Sequence, residues 1–322
     1  MRYRVYGLLL TSEMALPELT SAAGAEPKAS ADLRIRLARH GEAFPSPSQW
    51  LMSWTLPTGE RWLSVAKDAG GYLLQFPELA DFSVDADGRE IVCLPEPELP
   101  PHTMRHLLLD QVLPLVLTIH GRKALHASAV LTPRGVCAFT GPTGTGKSTL
   151  AASLLRTGYP VLSDDCLVLE AKDGQVLATP AYPGLRLRED ALNALCDDFG
   201  HLRSVAHYTS KRRLIPDGQG SYLLGQALPV ARIYSLVRPT EGEAEGGIVA
   251  PRIQRLSPQE SLVELLPFLF HLAVTDRAML ARHFEFLDQV VSHVPVQRLW
   301  VPSSFTSLLA VHEAILLDLE DP

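Results

Sequence analysis

Eight consecutive residues carry the strongest chemical signal in the chain: Gly141-Pro142-Thr143-Gly144-Thr145-Gly146-Lys147-Ser148. Their spacing is that of a glycine-rich phosphate loop, G-x-x-x-x-G-K-S/T. Glycines let a backbone close tightly around phosphate oxygens. Successive N–H groups at the opening of a helix favour an anion. Gly141, Thr143, Gly144, Thr145, Gly146, Lys147, Ser148 and Thr149 are therefore read as nucleotide-binding residues. Lys147 would supply a point charge to the terminal phosphates and the Ser148 hydroxyl would reach a magnesium ion, so ATP with Mg2+ is the expected pair of ligands. Such a site needs a second, acidic element at the end of a neighbouring strand. Val161-Leu162-Ser163-Asp164-Asp165 offers one, within a βαβ unit's reach of the loop. Side chains alternate along a strand, so Asp164 and Asp165 cannot both face the same way. One faces the magnesium and the other the γ-phosphate and acceptor, or one faces away.

These residues need elements to hold them. The apolar runs Ala124–Leu131 and Gly135–Thr140 read as two strands leading into the loop, and a helix is expected from Ser148 to about Arg156. Tyr159–Leu162, Cys166–Glu170 and Val176–Thr179 read as further strands. Helices are expected over Ser257–Leu272, Asp276–His293 and Ser303–Leu319, with a strand at Val296–Val301. Residues 103–119 show helical spacing, interrupted by Pro114, which lacks an N–H and should kink or break the helix. Upstream, alternation and turn residues mark short strands at Leu33–Leu37, Trp62–Val65, Tyr72–Phe76, Phe82–Val84 and Glu90–Leu94, as in a small antiparallel meander.

The bulk composition is that of a globular protein. The 322 residues suggest two domains. The expected division is a β-rich accessory domain at residues 1–94, a stiff proline-rich linker at 95–101 and a catalytic domain at 102–322. A net charge of −7 argues against general affinity for nucleic acid or anionic membrane. Cys93, Cys137, Cys166 and Cys196 are widely spaced, which suggests buried free thiols and neither a zinc site nor a disulfide framework. The longest apolar run near the N-terminus, Val5–Leu10, is too short for a signal-peptide core, and no segment approaches a membrane-spanning length. A cytoplasmic location is expected.

The order of three elements resembles the catalytic domain of the HPr kinase/phosphorylase family and its divergent relatives. The elements are Leu125-His126-Ala127-Ser128-Ala129-Val130, the loop Gly141–Ser148, and Gly158-Tyr159-Pro160-Val161-Leu162-Ser163-Asp164-Asp165. The match covers residues 124–170, with a weaker echo to about 240. The resemblance implies an α/β P-loop kinase domain of the HPr kinase and phosphoenolpyruvate carboxykinase type. It implies that Asp164 acts as base toward a seryl hydroxyl, that Asp165 supports the metal together with Ser148, and that His126 lines the site. Arg186, in Tyr182-Pro183-Gly184-Leu185-Arg186-Leu187, fits the arginine of the family's Glu-x-Arg-Gly strand, but Gly184 stands where the acid belongs. Lys211-Arg212-Arg213 is a candidate basic loop over the phosphates. Residues 1–94 show no similarity to the regulatory domain of the HPr-specific enzymes, so HPr itself is not the expected substrate. The expected activity is a serine kinase acting on a protein or peptide, with residues 1–94 either recruiting the acceptor or forming an oligomer contact, or merely covering apolar surface of the catalytic domain. Relatives often oligomerise, which puts a homo-oligomer among the expectations. A kinase for a small hydroxylated metabolite and a nucleotide-dependent switch or ATPase are the alternatives.

Overall fold

The computed structural model describes residues 1–22, 29–56, 58–195, 201–215, 225–239, 250–272 and 277–320. The chain is mixed α/β and forms two compact units. The first comprises Met1–Arg122, Val205–Thr209 and Phe270–Ala281. Its frame is a nine-stranded sheet in the order Thr20–Ser21, Arg2–Val5, Leu8–Ser12, Leu33–Leu37, Glu90–Pro95, Ala80–Asp85, Gly71–Phe76, Arg61–Asp68, Met52–Thr55. The five strands expected from alternation are all present. Those from Met52 to Pro95 form the antiparallel meander. Leu33–Leu37 departs from it, pairing parallel with both Leu8–Ser12 and Glu90–Pro95. The N-terminal hairpin turns through Tyr6 and Gly7, with φ values of 52° and 75°. Two successive left-handed residues suit the right-handed twist of a two-residue hairpin.

The units do not divide at 95–101. The first continues through Arg122, taking in the helical segment Pro101–Ile119. Three interactions explain why this segment stays with the sheet. Met104, Leu107, Leu108, Val112 and Leu115 are buried, Arg105 Nε bonds Glu18 at 2.8 Å, and His120 Nε2 lies 2.8 Å from the Gly88 carbonyl. The prolines thus mark a turn from strand into helix, with Pro101 in the first helical position, where its missing N–H costs nothing. The helical run does not break at Pro114 but changes its hydrogen bonding just before it. Leu107–Val112 widens into a π-turn, the Leu113 N–H reaches back to Leu108 O, and a new α-helical stretch, Leu113–Ile119, begins with Pro114 in its first turn.

The second unit comprises Lys123–Ser204, Ser210–Leu269 and Arg282–Pro322. At its centre Gly135–Thr140 pairs parallel with Leu228–Val237, which pairs parallel with Val296–Trp300. On its other side Gly135–Thr140 pairs antiparallel with Ala127–Thr132, which in turn pairs with Val161–Ser163. Alternate residues of these strands serve two cores. Val130, Cys137 and Phe139 pack with Leu150, Leu154, Val311 and Ile315, while Ala129, Val136 and Ala138 pack with Leu265, Leu287 and Val290. Leu185–Leu187, Arg212–Ile215 and His201–Ser204 form a separate small sheet.

Several elements differ from their expected bounds. The run Ala124–Leu131 breaks at His126 into Lys123–Leu125 and Ala127–Thr132, which pair with different strands. The helix expected over Ser257–Leu272 ends at Leu265, because Pro267 lies in a 3-10 turn, Leu266–Phe268. Its start is fixed by a Ser257–Glu260 capping box. Cys93, Cys137 and Cys166 are buried free thiols, and Cys196 lies outside the described residues. Among the described residues, no helix is long and apolar enough to cross a membrane.

His312, on the helix Leu308–Glu320, is buried with Nε2 2.9 Å from Ser153 Oγ on the helix Lys147–Arg156. Burial holds its imidazole below the ordinary 6.5. The unfolded chain therefore binds the extra proton, and the stability from this group is complete above about pH 6.5 and is lost as pH falls through the folded value. Urea unfolding at pH 7.5 and 5.5 should show a smaller loss of stability for His312→Gln than for the unaltered chain. Equal losses would count against a buried neutral imidazole.

Candidate functional site

The glycine-rich loop leaves Gly135–Thr140 and enters the helix Lys147–Arg156. Gly141, Gly144 and Gly146 all have positive φ, at 137°, 90° and 101°. At Gly141 glycine is also a steric requirement, since a Cβ there would stand 2.8 Å from the Leu236 carbonyl. The loop is braced by Thr145, whose hydroxyl donates to Pro142 O at 2.8 Å. No side chain caps the helix N-terminus and no acidic residue lies in its first turn. Its N–H groups therefore open toward the loop with their partial positive charge unanswered by a carboxylate of the helix itself. Thr143 is exposed, and Ser148 and Thr149 are half-buried.

Lys147 is buried at this end of the helix, and Nζ donates to Gly141 O at 2.7 Å and Pro142 O at 3.2 Å. Burial lowers its pKa, against the pull of Asp165 and Asp164, and nearby Lys211 lowers it further. A cation buried at the positive end of a helix is disfavoured on both counts. An anion held in the loop would relieve both.

Asp164 and Asp165 follow the strand Val161–Ser163 and differ sharply in setting. Asp164 is buried. Its Oδ1 accepts from Ser128 Oγ at 2.6 Å, and its Oδ2 accepts from the Arg186 backbone N–H at 2.8 Å and from Arg186 Nη1 at 3.3 Å. Asp165 sits in the left-handed region, φ 67°, which turns the chain so that its carboxylate stays 20% exposed, 3.4 Å from Arg186 Nη1. Its carbonyl lies 3.0 Å from His126 Nδ1. Burial depresses the His126 pKa, with Asp165 opposing. His126, Lys147, Asp164, Asp165 and Arg186 are therefore gathered at one place.

The sequence alone assigns no role to Ser128 or Tyr182. Tyr182 OH accepts from Arg186 Nη2 at 2.9 Å, and its ring lies under the guanidinium groups of Arg186 and Arg213, 5.7 and 5.4 Å from the centroid. Ser128 carried one legible signal: a hydroxyl inside an otherwise apolar run, two residues from His126. The basic run expected as a loop is not one. Arg212 and Arg213 belong to the strand Arg212–Ile215, and Arg213 is buried opposite Arg186. That packing also accounts for Gly184. Its φ is 132°, and a Cβ would stand 2.6 Å from the Arg213 side chain, so a glutamate there meets both strain and a clash.

Magnesium with a nucleotide is usually held by one or two carboxylates together with phosphate oxygens. The residues present fit that requirement: Asp165 offers a partly exposed carboxylate and Ser148 a half-buried hydroxyl. Among the described residues no group of three His, Cys, Asp or Glu forms a cage of its own for a metal ion.

The Asp164–Arg186 pair should dominate local stability. Arg186→Met leaves a carboxylate buried without its cation, a change that typically costs about 3–5 kcal/mol. Ser128→Ala removes one donor and should cost about 1–3 kcal/mol. Chemical denaturation of the two variants should give that order; the reverse order would place the stabilising contact at Ser128.

No protein-family model matches the chain. No curated protein matches it in sequence. Among solved structures it is similar to the Hpr(Ser) kinase/phosphatase from Coxiella burnetii, with 13% identity over 61% of this chain and 88% of that one and a TM-score of 0.32. A likeness at that score carries no argument about activity.

Proposed function

We propose that the chain is an ATP-dependent phosphotransferase that moves the γ-phosphoryl group to a seryl hydroxyl of a protein or peptide. One observation carries this reading. Glycines in the left-handed region wind a buried lysine against an uncapped helix N-terminus, and a carboxylate pair stands beside it. Each part is disfavoured alone, and together they suit a polyphosphate. The loop Gly141–Ser148 would bind the phosphates through its N–H groups, and Lys147 would exchange its loop carbonyls for phosphate oxygens. Ser148 and Asp165 would hold Mg2+, which supplies neutralising charge when bound. Arg186 would keep both aspartates in place, and His126 would fix the Asp165 backbone. Phosphoryl transfer asks chiefly for positioning and charge, and these residues offer both.

On the resemblance, Asp164 takes the acceptor's proton. A specific observation favours the exchanged assignment. Asp164 is buried, with both oxygens already accepting from Ser128 and Arg186, whereas the Asp165 carboxylate is partly exposed. In that reading Asp164 positions the pair and Asp165 meets the acceptor. Asp164→Asn and Asp165→Asn separate the two. Loss of a general base typically slows turnover by about 10²–10⁴-fold with ATP affinity retained. The variant that shows this split identifies the base.

Lys147→Ala should lower turnover by at least about 10²-fold while leaving the unfolding midpoint close to that of the unaltered chain. Near-normal turnover would sink the phosphate-loop assignment. The acceptor is read by incubating the protein with γ-labelled ATP in a lysate. Label on a polypeptide supports the proposal. Label on a small molecule points to a metabolite kinase, and release of free phosphate alone points to an ATPase or switch.

A further inference from the structure

Two cations of the site are met by acceptors within it. Arg186 faces Asp164 and Asp165, and Lys147 Nζ is met by two loop carbonyls. Arg238 is different. It follows the strand Leu228–Val237, which runs parallel to Gly135–Thr140 with Ser235 opposite Thr140, so both chains leave the sheet at the same edge. Its guanidinium comes up against the loop: Nη2 stands 3.4 Å from where a Cβ on Gly146 would lie. Among the described residues, its side chain makes one hydrogen bond, from Nη1 to the Pro302 carbonyl at 3.0 Å, and has no carboxylate partner. It is half-buried, and burial alone disfavours its charge.

A guanidinium carries five donors in a fixed fork that matches phosphate oxygens. Holding it half-buried with a single carbonyl is unfavourable for the free protein. The orientation is useful if an anion arrives beside Gly146. The adjacent N–H groups of the helix N-terminus point to the same kind of ligand. We infer that Arg238 is a phosphate-binding residue of the nucleotide site, its free Nη2 edge taking an oxygen of the β- or γ-phosphate next to Gly146 and Lys147. This inference rests on the reading of Gly141–Ser148 as the phosphate loop. It adds a second strand to the site, so that the phosphates would be held from both parallel neighbours.

The test uses the full chain with Mg·ATP, ADP and AMP, titrated by calorimetry against the unaltered protein, Arg238→Gln and Arg238→Lys. Arg238→Gln should bind ATP about ten-fold more weakly, as expected for one charged hydrogen bond, with a smaller loss for ADP and none for AMP. Arg238→Lys should recover part of the loss, and ATP binding should become less sensitive to salt in Arg238→Gln. The ligand-free unfolding midpoint of Arg238→Gln should be unchanged. An unaltered chain that binds ATP, with Arg238→Gln binding it equally well, overturns the role of Arg238 and leaves the loop assignment standing. A lowered midpoint with the same loss for all three nucleotides makes Arg238 a structural tether to Pro302, which also overturns it. An unaltered chain that binds none of the nucleotides removes the loop assignment and this inference with it.

Discussion

The buried ion pair between Asp164 and Arg186 is the constraint on which the site depends. It joins three strands: Ser128 lies on Ala127–Thr132, Asp164 follows Val161–Ser163, and Arg186 lies on Leu185–Leu187. A carboxylate and a guanidinium taken out of water need close geometry and further hydrogen bonds to offset desolvation. Here the carboxylate accepts from a hydroxyl, a backbone N–H and the guanidinium, while the guanidinium also donates to the Asp164 carbonyl and Tyr182 OH. Such a pair tolerates little displacement. In return it fixes the turn at Asp165, whose left-handed backbone leaves the second carboxylate partly exposed.

The loop solves the opposite problem. Nothing in the helix Lys147–Arg156 answers the charge at its own N-terminus. Positive charge from Lys147, from Lys211 and from the helix end converges there, while Arg238 closes one side. The fold holds this arrangement by packing. Leu150 and Leu154 anchor the helix against Phe139, and Gly141 lies so close to Leu236 that no side chain fits between them. A rigid core thus carries an electrostatically unfavourable rim, as binding sites commonly do.

The nine-stranded sheet has a different character. Among the described residues its core is aliphatic and aromatic, with Phe76 edge-on to both Trp62 and Phe82. The helical segment after the prolines belongs with it, as do two later segments of the chain. No local pattern announces that short pieces at residues 205–209 and 270–281 join a unit built mainly from residues 1–122.

Local sequence was enough for features whose physics is local. Left-handed glycines, the spacing of the lysine and the apolar strand before them define Gly141–Ser148. Alternation defines the strands at Leu33–Leu37 and from Trp62 to Leu94, and the ring of Pro114 sets the irregularity in its helix. The tertiary structure decided what depends on partners distant in sequence. Which aspartate is buried follows from Ser128 and Arg186, at 36 and 22 residues' separation from Asp164. The break at His126 follows from two different strand partners and from Phe268, and the placement of Arg212 and Arg213 in a strand follows from pairing with Leu185–Leu187. Arg238 has no motif at all, because its meaning lies in the parallel register that brings it beside Gly146. Backbone conformation is a property of neighbours in sequence, whereas charge pairing is a property of neighbours in space.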